Sequence, residues 1–173
     1  MKVDAEIRPA EIEKVSGYIT RLKNISDLVG KDETCLKQGL SGWEKEISTR
    51  RTKQLVKNLD WLNSLSGTEV KKGYQLILLQ MGVPESECPI VEETETKITW
   101  HAYDFCPYLV AVNETGLDTK IICKHLTEKP VQELLNIFNP NLRFSRNYNQ
   151  IRPYSEYCEE QIELINQLPN NPF

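Results

Sequence analysis

Apolar residues recur at three- and four-residue steps through most of the first eighty positions, and that period predicts helices. Ile12, Val15, Ile19 and Leu22 form one such stripe within 9–29, with Glu11, Lys14, Arg21 and Lys23 outside it. Pro9 suits the first turn of this helix and Gly30 its stop. Leu36, Leu40, Trp43 and Ile47, continued by Leu55, Leu59 and Leu62, predict a longer helical segment over 33–65, which Gly39 and Gly42 are placed to bend or split. Ser66 followed by Glu69 has the form of a capping box for a third helix carrying Val70, Tyr74, Ile77, Leu78 and Met81, closed by Gly82. All three read as packing elements.

The pattern changes after the turn-rich connector from Pro84 to Pro89. Residues 90–101 are rich in Thr, Ile, Val and Trp with rough alternation and predict a strand. Cys106-Pro107 opens a short helix that ends near Gly116. A further helix starts at Asp118, is interrupted or restarted at Pro130, and ends at Asn139-Pro140. Leu142 to Gln150 and Glu156 to Leu164 predict two antiparallel strands joined through Arg152-Pro153-Tyr154-Ser155. The order helices, strand, helices, hairpin implies an α+β fold, with N-terminal helices packed on a small antiparallel sheet in a single domain. Within it, 1–83 is the helical part, 84–166 the α+β part that carries the site, and 167–173 a loose tail.

Composition narrows the setting. A chain of 173 residues suits one domain with a real core. A net charge of −4 and the lack of a basic stripe argue against nucleic acid as a partner. The longest apolar run, Leu76 to Leu79, is far short of the roughly 20 residues of a membrane helix. With no signal-peptide pattern, the expected setting is cytoplasmic and the five cysteines are expected to be reduced thiols.

Chemistry concentrates between His101 and Cys158. Cys106 precedes a helix, where the dipole and free amides lower a thiol's pKa; it is read either as a nucleophile served by His101 or His125, or as a small buried hydrophobe. Asp104 is placed either to orient an imidazole or to sit in a solvated loop. Arg143 and Arg146 differ in parity along a strand, so one faces a cavity, able to hold a carboxylate bidentately, and the other faces water. Cys123 and Cys158 each suit a core position. Together with Cys106 they form the alternative of a soft metal site, but the wide gaps between the thiols lack the close pairing of zinc motifs, so no metal or cofactor is assigned. Trp100, Tyr103, Phe105, Tyr108 and Phe144 either line a ligand pocket or fill the core.

The segments Asp104-Phe105-Cys106-Pro107-Tyr108, Ile122-Cys123-Lys124-His125, Phe138 to Arg146 and Tyr157-Cys158-Glu159 occur in a recognisable order. Over about residues 70–165 they resemble the family of L-2-amino-thiazoline-4-carboxylic acid hydrolases, itself similar to small-ligand-binding domains of the four-vinyl-reductase type. By position, Cys106 matches that family's cysteine before proline, Cys123 its mid-helix cysteine, and Cys158 its cysteine near the final strand. The chain departs from the pattern at Leu126, where an acid is common, and at Pro153-Tyr154-Ser155, where a glycine turn is common. Gln150 and Asn147 stand where the wider group places zinc ligands.

The resemblance implies a hydrolase of a small cyclic C–N bond on a carboxylate-bearing substrate. The catalytic set is then Cys106, His125, Asp104 and His101, with Arg146, Arg143, Cys123, Tyr108 and Trp100 on the substrate. The expected partner is a small-molecule substrate or ligand, with no membrane and with a homodimer left open. The alternative is a non-catalytic binding or sensor module.

Overall fold

The computed structural model describes residues 9–165; the tail read from the sequence at 167–173 lies outside them. The fold is α+β, with helices on one face of a single small antiparallel sheet. Helix α1 spans Pro9–Val29 and α2 spans Glu33–Lys57, capped by the Asp32 carboxylate, which accepts from the Cys35 amide. Helix α2 runs unbroken through Gly39 and Gly42. The chain breaks instead at Asn58, and the short α3 follows at Asp60–Ser64. Gly39 lies under α1, where a Cβ would stand 2.6 Å from Ile25, so it serves close helix packing and does not make a kink.

Helix α4, Glu69–Met81, is capped by Thr68, whose hydroxyl accepts from the Lys71 amide; Ser66 is not its cap. Gly82 closes it in the left-handed region, as the sequence predicts. This helix lies directly on the sheet. A Cβ at Gly73 would come within 3.0–3.2 Å of Leu142 and Ile162, so glycine lets the helix settle onto the strands.

The stretch read as one strand over 90–101 is a hairpin, β1 at Ile90–Glu93 and β2 at Lys97–Ala102. Its turn is built by Thr94, whose side chain accepts from the Thr96 and Lys97 amides. After α5 (Pro107–Thr115) and α6 (Thr119–Cys123), one wide π turn at Lys124–Glu128 leads into α7, Lys129–Phe138. The last strands, β3 at Leu142–Arg146 and β4 at Cys158–Leu164, are shorter than predicted, and residues 147–157 form a long loop between them. The sheet order is β1-β2-β4-β3, all antiparallel.

Strand alternation decides what faces inward. Ile98, Trp100, Leu142, Phe144 and Ile162 join Val70, Tyr74, Ile77, Val131 and Leu135 in the main core. A second cluster links α1, α2, α5 and α6 through Leu22, Leu36, Leu40, Trp43, Ala111 and Ile122. Between these two cores the inward residues near the end of the sheet turn polar.

Candidate functional site

At that end the helices and sheet enclose a cavity of about 500 Å³. It is walled by α1 and α2 on one side, the C-terminal end of α4 above, residues 104–108, and the ends of β3 and β4. Asp104, Cys106, Tyr108, Cys123 and Arg146, five residues singled out from the sequence, line it together, as does Cys158. Phe105, Tyr108 and Phe144 supply aromatic wall, with Tyr18 stacked on Tyr108 at a centroid distance of 4.5 Å.

His101, His125, Arg143 and Trp100 do not line the cavity. His101 occupies the outward register of β2 opposite Glu159, 3.3 Å from its carboxylate, and stacks on Tyr157. His125 is buried in the π turn, where Nδ1 lies 2.8 Å from Glu44 of α2 and 3.2 Å from Lys129; this cluster ties α2 to α7. Arg143 points to water, and Arg146 points inward, as their parity requires. Trp100 is fully buried against Tyr74 and Phe144.

Three further groups complete the site: Arg152, one of the arginines of the His101–Cys158 stretch, to which the sequence assigns no role, and Glu160 and Arg51, which it does not single out. Glu160 takes Arg146 through Nε (3.0 Å) and Nη2, and both side chains are only 8% exposed. Arg146 Nη1 donates to Thr127, so each of its three nitrogens has a partner inside the protein. Arg152, from the β3–β4 loop, donates through Nη1 to the carbonyls of Tyr103 and Asp104 and through Nε to the Cys158 sulfur at 3.5 Å. Its Nη2 lies 3.8 Å from the Asp104 carboxylate. Arg51 of α2 also lines the cavity. Glu160 was signalled by its even spacing from Cys158 and Ile162, and Arg51 by its place between Ile47 and Leu55 on the apolar stripe of α2.

Burial sets the chemistry of these groups. It pushes the Asp104 carboxyl up to about 6, against the opposing pull of Arg152, so this acid titrates near neutrality. Burial also pushes Cys106 up to about 12, with Cys123 and Asp104 adding to the rise. Position at a helix start does not offset that desolvation, and Cys106 rests as a thiol. Cys123 is raised for the same reason. The cavity thus pairs an acid that gives and takes protons readily with sulfur groups that do not.

Among the described residues, no group of three or more His, Cys, Asp or Glu side chains is arranged to hold a metal ion, and no helix is long and apolar enough to cross a membrane. No protein family, curated protein or solved structure matches the chain.

Proposed function

We propose that the cavity is the active site of a hydrolase acting on a small cyclic C–N bond, of the thiazoline, cyclic amidine or amide type, in a carboxylate-bearing substrate. The observation that carries this reading is Asp104, a carboxyl 15% exposed in the cavity wall, which desolvation pushes up to about 6 beside the Arg152 guanidinium. A group so tuned is suited to general acid–base work at neutral pH, where such help contributes on the order of 10²- to 10⁴-fold. The order of the motifs around Cys106, Cys123 and Cys158 supports the same class.

In this mechanism Asp104 takes a proton from water as the water oxygen bonds to the amidine carbon, and delivers it to the ring nitrogen. The carbonyl then forms as the ring C–N bond breaks. The hydroxyl proton passes through Asp104 to the departing nitrogen, which leaves as an amine. Arg152 holds the Asp104 carboxylate in place when it is ionised. Cys106 is the less favourable attacker. Proton transfer from a thiol near 12 to an acid near 6 costs ~8 kcal/mol before any bond forms.

Turnover of a panel of 2-thiazoline-4-carboxylates and cyclic amidines tests this. Asp104→Asn is expected to lose at least 10²-fold in kcat, while folded Cys106→Ser keeps activity within about tenfold. The pH–rate profile is expected to rise through about 6, as the base ionises. Loss of all turnover in Cys106→Ser with Asp104→Asn still active would make the thiol the nucleophile. Stoichiometric ligand retention with no turnover would favour the sensor module, a reading supported by the resting thiols and the aromatic wall.

A further inference from the structure

Arg51 and Arg146 both line the cavity, and they differ in what their guanidinium edges meet. The edge formed by Nε and Nη2 presents two parallel donors at the spacing of a carboxylate's oxygens. In Arg146 that edge is filled by Glu160. In Arg51 no hydrogen bond fills it among the described residues. Arg51 Nη1 donates to the Gln80 side chain at 2.9 Å, and the Gln80 amide returns a bond to the Arg51 carbonyl, which fixes the guanidinium's position. Its Nε is buried with no hydrogen-bond partner, and no carboxylate pairs with the side chain among the described residues.

A buried guanidinium donor without an acceptor costs on the order of 1–3 kcal/mol, and a cation left without a counter-charge costs more. The wall as a whole repeats the imbalance. Lys14, Arg50, Arg51, Arg146 and Arg152 face Glu11, Asp104 and Glu160, a positive surplus in a chain whose net charge is −4.

We propose that Arg51, held by Gln80, is the anion anchor of this cavity and binds the carboxylate of a small monoanionic ligand through its Nε–Nη2 edge. The aromatic wall from Tyr18, Tyr108, Phe105 and Phe144 receives a flat or apolar body attached to that carboxylate. Arg146, whose Nε–Nη2 edge Glu160 fills and whose Nη1 donates to Thr127, is a fixed part of the wall. Arg51 comes from α2, whereas Asp104 and Arg152 come from the segment after β2 and the β3–β4 loop, so the anchor and the acid are carried by different elements of the wall. This assignment deepens the hydrolase reading by naming what holds the substrate's carboxylate, and it applies equally to a ligand that is never turned over.

The test uses two planar carboxylates that cannot be hydrolysed, benzoate and thiazole-4-carboxylate, each against its carboxamide, with binding measured by calorimetry and by shifts of the arginine Nε–H resonances. The full chain is expected to bind each carboxylate at least tenfold more tightly than its amide, with one arginine Nε–H shifting strongly. Arg51→Gln removes that preference and leaves amide binding unchanged. Gln80→Glu, which supplies an internal carboxylate to the same guanidinium, also removes it and keeps the fold if Arg51→Gln does not.

Equal binding of carboxylate and amide, full retention of the preference in either folded variant, or equal competition by inorganic phosphate would overturn the assignment. Because no probe reacts, failure of hydrolysis leaves this result standing. Conversely, turnover of a substrate lacking a carboxylate, with no carboxylate preference, would remove the anchor and keep the enzyme.

Discussion

The two faces of the sheet are one residue apart along each strand, yet they hold the same chemical groups in opposite conditions. Inward, β3 and β4 place Arg146 and Glu160 in an almost dry pair. Outward, β2 and β4 place His101 opposite Glu159, with 20% and 28% of their side chains exposed. Residue type is similar on both faces, and access to water is what differs. The comparison teaches that the charges able to do chemistry here are those the helices desolvate. The histidines, the first choice by residue type, lie where the fold uses them for contact.

The contrast is broken most strongly at Glu160. Glu160→Gln is expected to destabilise the protein by about 3–5 kcal/mol, because it leaves a buried guanidinium without its counter-charge. Glu159→Gln, its neighbour on the wet face, is expected to cost less than about 1 kcal/mol. Urea unfolding of both variants measures the difference, and equal costs would erase the distinction between the faces.

Asp104 sharpens it through pH. Its carboxyl is raised in the folded chain from 3.8 to about 6, so the native state holds the extra proton between those values. The stability this provides is complete below about 4 and is lost as pH rises through about 6, a change on the order of 2–3 kcal/mol. Asp104→Asn lacks that loss. The difference in unfolding free energy between the two proteins is therefore expected to shift toward the variant from pH 4 to pH 7. A parallel pH dependence would mean that Asp104 is solvated.

The smallest effect concerns thiol reactivity. Cys35 and Cys106 are both half-buried, and burial pushes the Cys106 thiol up to about 12, so iodoacetamide at pH 8 is expected to modify Cys106 no faster than Cys35, by peptide mass spectrometry. Faster labelling of Cys106 would restore an activated thiolate.

Where local rules act, the sequence was readable. Gly82, Gly116 and Cys106-Pro107 mark helix ends that the structure retains. The apolar stripes gave the helices and the fold class, and strand parity separated Arg143 from Arg146. The hairpin within 90–102 was hidden because Thr94 makes its turn with a side chain, without the usual Asn-Gly or Asp-Gly signal. The clustering of Asp104, Cys106, Cys123 and Arg146 was suggested by motif order. Their partners Glu160 and Arg152 were not, since pairing across strands and loops is decided by tertiary register. Arg51 was written into a helical stripe as a charge among leucines, and its meaning appears only once the rest of the wall is in place.

The cavity draws its lining from Glu11 near one end of the chain to Glu160 near the other. Nothing resembling it survives in any fragment of the fold, so whatever occupies it is linked to the cooperative unfolding of the whole molecule. An occupant at a hundred times its dissociation constant adds about 2.7 kcal/mol to that transition. Amides of the buried core, in α4 and β2, that exchange only on global unfolding would then report occupancy as faithfully as those beside the ligand, which makes global hydrogen exchange a search tool for the natural occupant.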